Sequence, residues 1–252
     1  MSFIFGETIY RPIYNFLIFI YNIIPYPDFG IAIIIVTLVL KFLLIPLSKK
    51  QIESQKKMQE MQPKIKEIQK KYKDDKEKQS RALMEFYKQN KTNPFSGCLP
   101  TIFQLIFLIA IYQVLFNISS AGLLVDPKEL YSFVSNPGQI NQYFLGIIDL
   151  SKTINLNQLN IKIVPQLILI FLAAGAQYFQ MKMIMPKAVP SSENSTPDIS
   201  QTMSRQMMYL GPILTLFIGI KFPAGLALYW LVSTVFAIIQ QMRVLKKEKS
   251  KS

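Results

Sequence analysis

Gly30 to Lys50 reads GIAIIIVTLVLKFLLIPLSKK, and one lysine, Lys41, stands in the lower half of this apolar run. An ammonium at the centre of a membrane helix costs about 2.5–3.5 kcal/mol on insertion scales, so its placement needs a purpose or a source of water. At 100° per residue Thr37, Lys41 and Ser48 fall on one helical face, which gives the lysine polar company. Gln166, Ala173, Gln177 and Gln180 share a face in a later apolar run, and Trp230, Ser233, Thr234, Ala237 and Gln241 share one in the last. Small and polar side chains collect where membrane helices meet or where they line a wet cavity. Gln104 and Gln113 point in opposite directions on their own run, so at least one glutamine is expected to act as packing glue rather than line a groove.

No Asp or Glu lies within these runs, which leaves water, backbone carbonyls or lipid phosphate to solvate Lys41. Its stem recovers about half of the roughly 10 Å of helix rise between Lys41 and Ser48, so snorkelling stands as the competing explanation beside the expected one, a hydrated recess open from one side. Nucleophilic and metal chemistry find little support. The chain has no histidine and one cysteine, Cys98, which excludes Ser-His-Asp and Cys-His catalysis, disulfide frameworks and Cys/His zinc sites. A Walker-type phosphate loop is also missing. The expectation is a binding or transfer protein with no cofactor, no metal and no enzymatic activity.

The elements that must position these residues are apolar helices. Half of the 252 residues are hydrophobic and 17% are charged. Five stretches suit the 17–25 residues that a helix needs to cross a bilayer: 30–48, 99–119, 163–185, 207–221 and 225–242, the fourth being short. The expected fold is all-α, a polytopic membrane protein with five transmembrane helices, an N-terminal interfacial helix within an extracytoplasmic segment 1–29, and a cytoplasmic helical hairpin at 49–98. An extracytoplasmic loop at 120–162, a cytoplasmic loop at 186–206 and a basic cytoplasmic tail at 243–252 complete the plan. The N-terminus lacks the features of a cleavable signal, so the mature chain is expected to start near Met1.

In the hairpin Ile52, Met58, Met61, Ile65, Ile68 and Tyr72 form a narrow seam, and Leu83, Phe86 and Tyr87 a second one beyond KDDKEK. Pro63 is expected to kink or break the first of these helices. Charge orients the chain. Of its 28 Lys and Arg, 22 fall in the segments assigned inside and five outside, against ten and five acidic residues, so the N-terminus is expected outside and the C-terminus in the cytoplasm. Most of the net charge of +13 thus faces anionic lipid, with ribosomal RNA or a nascent chain as further partners.

NPFSGCLPTIFQ (Asn93 to Gln104), KFPAGLALYWLVSTVFAIIQQ (Lys221 to Gln241), and the basic residue of the first run followed by IPL together resemble the YidC membrane-protein insertase family. The likeness covers nearly the whole chain and includes the order of parts. It implies a short five-span form that moves hydrophobic segments of newly made proteins into the bacterial cytoplasmic membrane, through a positively charged groove open to cytoplasm and lipid. Lys41 stands where the family usually has arginine, keeping the charge and losing the bidentate fork. Ile106 and Thr234 replace a common proline and asparagine. By resemblance the groove comprises Lys41, Thr37, Gln104, Gln177, Gln180, Tyr229, Trp230, Ser233, Thr234 and Gln241, and the partners are nascent membrane proteins together with ribosome, Sec translocon and anionic lipids. Clustered methionines, Met181, Met183, Met185, Met203, Met207 and Met208, suit either bundle packing or varied apolar clients. A small-solute or anion transporter built around Lys41 is the rival reading. It normally brings paired charges and repeat halves, which this chain lacks.

Overall fold

Asp28 opens the first long apolar helix. One carboxylate oxygen accepts the Ile31 N–H at 3.0 Å, satisfying a donor that a helix start leaves free, and the other accepts the Leu145 N–H at 2.7 Å. The computed structural model describes residues 3–90, 92, 99–154, 160–184 and 199–249. In chain order these form α1 (Phe3–Phe5), a π turn (Gly6–Tyr10), α2 (Arg11–Ile23), α3 (Phe29–Leu43), α4 (Ile45–Lys71), α5 (Lys76–Gln89) and α6 (Leu99–Ser120). An antiparallel pair β1 (Tyr143–Phe144) and β2 (Ile148–Asp149), a 3-10 turn (Ile161–Ile163), α7 (Val164–Ile184), α8 (Ile199–Lys221) and α9 (Ala224–Lys249) follow.

Side-chain contacts fix the helix directions. Leu115 and Ile33 close over Gly225, where an added Cβ would come within 3.3–3.4 Å of them. Phe42 meets Phe236 edge-on at 5.2 Å and the Gln240 amide donates to the Ile45 carbonyl at 3.2 Å, so α3 and α9 run parallel. Gln177 meets Trp230, and Met183 lies with Met242, which makes α7 parallel to both. α8 is antiparallel to α7, since Gly219 abuts Ile170 and Tyr209 stacks on Tyr178 at 6.0 Å. The end of α6 reaches Ser151, beside the start of α9, so α6 is also reversed. Among the described residues five apolar helices therefore alternate in direction, with α9 packed against α3, α6, α7 and α8.

Length separates these helices. Ile161–Met183 and Ala224–Lys246 are each long and apolar enough to cross a membrane, and α3 with α4 becomes a third candidate if the bent pair counts as one span. Leu105–Ser120 and Met208–Lys221 are shorter apolar helices. A single straight span at 30–48 gives way to a 67° bend, because α3 stops at Leu43 and α4 starts at Ile45 with Pro46 in its first turn. Proline lacks the N–H that would continue the ladder, and it suits a helix start. Ser48 belongs to α4 and donates to Leu44 O at 2.8 Å, so it does not extend the face of Thr37 and Lys41.

One end of the bundle is capped by α2 and residues 121–154. Tyr14, Leu17, Ile18 and Tyr21 of α2 are buried against α3, α6 and this segment, more deeply than a helix lying alone in an interface requires. Asn15 donates to Glu129 O at 2.8 Å and accepts from Tyr131 N, while the Tyr14 and Tyr21 hydroxyls accept from Asp126 N and Asn141 N. The first N–H groups of α9 also find partners here: Ala224 N donates to Lys152 O and Gly225 N to Leu150 O. Gln166, buried on α7, donates to Asp149 O at 2.8 Å.

At the other end α4 runs unbroken through Pro63 and pairs with α5. Ile52 and Ile65 of α4 are buried, whereas α5 buries none of its residues, so the two seams are shared unevenly. Asp75 caps α5 by accepting the Lys78 N–H, and that bond holds its carboxyl below the usual aspartate range. The helical stretch of α9 continues through residues 243–249 of the basic tail.

Candidate polar groove and helix junction

Lys41 lies in the last turn of α3, immediately before the bend. The carbonyls that end a helix carry its partial negative charge, so a cation is favoured there by about 0.3–1 kcal/mol. Thr37, one turn earlier on the same face, is buried and donates to Ile33 O at 2.6 Å. Its hydroxyl is therefore committed to its own helix, and Lys41, one turn on, is partly exposed. The T-shaped contact of Phe42 with Phe236 and the Gln240 bond to Ile45 O lock the bend to the lower half of α9. Lys41 is thus held in the last turn before a 67° bend, in the lower half of the apolar run where the sequence puts it.

The inward face of α9 holds Ser233, Thr234 and Gln241, all buried. Gln241 Oε1 has no hydrogen-bond partner among the described residues, and neither has Gln113 Oε1 on α6. Buried acceptors left open cost about 1–3 kcal/mol each, so both positions suit a water or a passing donor. The Gln104 side chain lies outside the described residues, as do the NPFSGC stretch and the side chains of Met185, Met203 and Met207.

Gln177 and Trp230 form a junction of their own. Trp230 Nε1 donates to Gln177 Oε1 at 2.5 Å, and Thr215 Oγ lies 3.1 Å from that oxygen and 3.0 Å from Gly211 O. Gly211 leaves the room: a Cβ there would sit 3.1 Å from Gln177 Nε2. One glutamine oxygen thereby joins α7, α8 and α9, the helix-to-helix use of a polar residue in an apolar bundle. Tyr229 is 2% exposed and belongs to the core, whereas Gln180 is half-buried one turn below Gln177. The sequence-derived groove residues therefore divide into a region around Lys41 and α9, and a knot around Gln177 and Trp230. Leucine at 177 should cost about 1–2 kcal/mol of stability, because the Trp230 N–H loses its acceptor. Thermal unfolding of Gln177→Leu in detergent checks this, with a lowered unfolding temperature as the expected result.

Sequence reasoning missed the polar ties of the capped end, including Asn15, Tyr14, Tyr21 and the Asn117 amide donating to the Tyr10 hydroxyl at 2.9 Å. The asparagine and tyrosines dotted through an otherwise apolar α2 were the available signal. No group of His, Cys, Asp and Glu suited to a metal occurs among the described residues.

Residues 19–251 match the model of the 60Kd inner membrane protein family. A relative from Fusobacterium nucleatum, named membrane protein insertase YidC, is 32% identical over 241 residues, covering 95% of this chain and 98% of its own length. Relatives of the same name from Streptomyces avermitilis and Shewanella halifaxensis are 30% and 35% identical over 225 and 230 residues, 86% and 91% of this chain. This chain spans about half of the Streptomyces protein and about a third of the Shewanella one, at 51% and 35%. A family match across nearly all of an apolar, alternating helical bundle is decisive, and the chain belongs to the 60Kd inner membrane protein family, which includes the YidC insertases.

Proposed function

We propose that this protein inserts hydrophobic segments of newly made proteins into the bacterial cytoplasmic membrane. The observation that carries the reading is the asymmetry of the bundle: one end is sealed by α2 and residues 121–154, and the other presents Lys41 at a bend beside buried polar positions of α9. The alternating directions of α3, α6, α7, α8 and α9 support five spans, and the basic hairpin and tail support a cytoplasmic C-terminus. The capped end then faces outward.

A client's acidic outer tail must cross the bilayer while its apolar segment enters lipid. A polar recess reaching partway in from the cytoplasm shortens the dry path, and Lys41 attracts the carboxylates at a depth where the lower dielectric strengthens the attraction. A potential negative inside helps to export each negative charge by about 2.3 kcal/mol per 100 mV, so the proposed step draws on no bound cofactor. Thr37, Ser233, Thr234, Gln241, Gln104 and Gln180 are assigned to the recess. Gln177, Trp230 and Tyr229 are assigned to the walls that hold it. The α4–α5 hairpin and the basic end of α9 are the surfaces for ribosome, Sec translocon and anionic lipid. Reconstitution of the purified chain in liposomes with a small single-span client, scored by protease protection, tests the reading: protected client above empty liposomes is expected. Unprotected client accompanied by a solute current would replace insertion with transport.

A further inference from the structure

The capped end carries five cations and five carboxylates in sequence, yet two of the cations, Lys152 and Lys221, line one cavity of about 480 Å³. It opens between the last turn of α6 and the turn joining α8 to α9. Its floor is aromatic, with Tyr112 edge-on to Phe222 at 4.9 Å and against Phe116 at 5.6 Å. Below the rim both flanking helices stay apolar on their exposed sides. Ile109 and Leu105 follow Phe116 along α6 at helical spacing, and Phe217, Leu214 and Leu210 follow Lys221 along α8. Cations above a greasy wall match the profile of a phospholipid, with its anionic head over its chains.

Four of the five carboxylates near this end have partners of their own. Glu7 pairs with Arg11, Asp28 holds the Ile31 and Leu145 N–H groups, and Asp126 accepts the Lys128 N–H. Asp149 alone among these four reaches the rim, bonding Lys152 Nζ at 3.1 Å and the Ser151 hydroxyl at 2.7 Å. That contact holds the Lys152 ammonium above its ordinary value, so it stays charged throughout the physiological range. No carboxylate among the described residues pairs with Lys221, and the rim keeps a net charge of about one. The serine hydroxyls point their protons elsewhere, Ser119 to Ser151 O and Ser120 to Asn117 O. An anion is left to the two lysines and Thr153.

We propose that this cavity binds the phosphate of an anionic phospholipid in the outer leaflet, with Lys221 and Lys152 as its cations and Phe116, Tyr112 and Phe222 beside the glycerol. The proposal rests on α6 and α8 lying in the membrane with the capped end outward, as in the function proposed above, and is independent of client transfer.

The test uses the full chain in nanodiscs containing photoactivatable phosphatidylglycerol or phosphatidylcholine, with labels mapped to residues 112–120 and 217–223. Phosphatidylglycerol should label more strongly, and Lys221→Gln and Lys152→Gln should each lower that labelling about fivefold, the worth of one lysine near a lipid surface. Both side chains are exposed, so unfolding temperatures should not move. Equal labelling by the two lipids, or labelling unchanged in both variants, overturns the site. Competition by millimolar inorganic phosphate with no lipid label would assign it to a free anion, and displacement by an acidic client peptide alone to a polypeptide; either result rejects the lipid. Lost insertion with persistent lipid labelling counts against the proposed function and leaves this site standing.

Discussion

Replacing Lys41 with alanine is expected to lower insertion of a client with an acidic outer tail about tenfold in proteoliposomes, with glutamate lowering it further and arginine retaining most activity. The tenfold figure corresponds to about 1.4 kcal/mol of lost attraction, modest for one charge facing another in partly dehydrated surroundings. Glutamate replaces attraction by repulsion. Arginine keeps the cation and adds a fork that fits carboxylates. Clients with uncharged tails should change little, which separates a charge mechanism from damage to the fold. Lys41 is well placed for such exchange: it lies in the last turn of α3, where the helix end already favours a cation, and its side chain is partly exposed. Equal activity of all four proteins on acidic-tailed clients would remove the charge from the mechanism and leave the bend itself as the feature that matters.

The bend shows what could be read from residues and what could not. Lys41 stood out because a charge in an apolar run is costly, and that reasoning needs no structure. The bend just beyond it was harder to read, since Pro46 stands inside the apolar run, and proline more often starts a helix than sits inside one. Periodicity also brought Gln177 and Trp230 to inward faces, but inward is the limit of what a helical wheel reports. Whether an inward glutamine meets water or a tryptophan 53 positions away depends on packing angles that periodicity does not contain. The segment 120–162 was read as a loop for the same reason. Its order comes from bonds such as Asn15 to Glu129 and Tyr14 to Asp126, each spanning more than 110 residues. Asp28 is legible by contrast, an aspartate directly before an apolar periodic run being a helix-start signal.

Gly30→Val should cost about 3 kcal/mol of stability and loosen the capped end, because an added Cβ has nowhere to go. At this position it would lie 2.3 Å from Phe144 Cδ2, 2.6 Å from Cγ and 2.7 Å from Cβ. The ring could swing away from a clash at its tip, but contact at Cβ pushes on the strand itself, so β1 must leave α3. Helix propensity works in the opposite direction by less than about 1 kcal/mol, since valine replaces glycine near the start of a helix, and it does not reverse the sign. The displaced pair β1 and β2 carries Leu145 between its strands, whose N–H is held by Asp28, and Asp149, which bonds Lys152 and Ser151. Moving β1 therefore strains the helix start and the seal together. The measurement is a double-mutant cycle in detergent: Gly30→Val alone, Phe144→Ala alone, and both. Removing the ring deletes the Cγ and Cδ2 contacts, so the double variant should regain at least about half of the loss, a coupling between neighbours of about 1.5 kcal/mol. Protease cleavage within 121–154 from the outer side should rise in Gly30→Val proteoliposomes and fall back in the double variant. Additive losses, with no added cleavage, would mean that the close approach of α3 and β1 is incidental and that α2 alone seals the bundle.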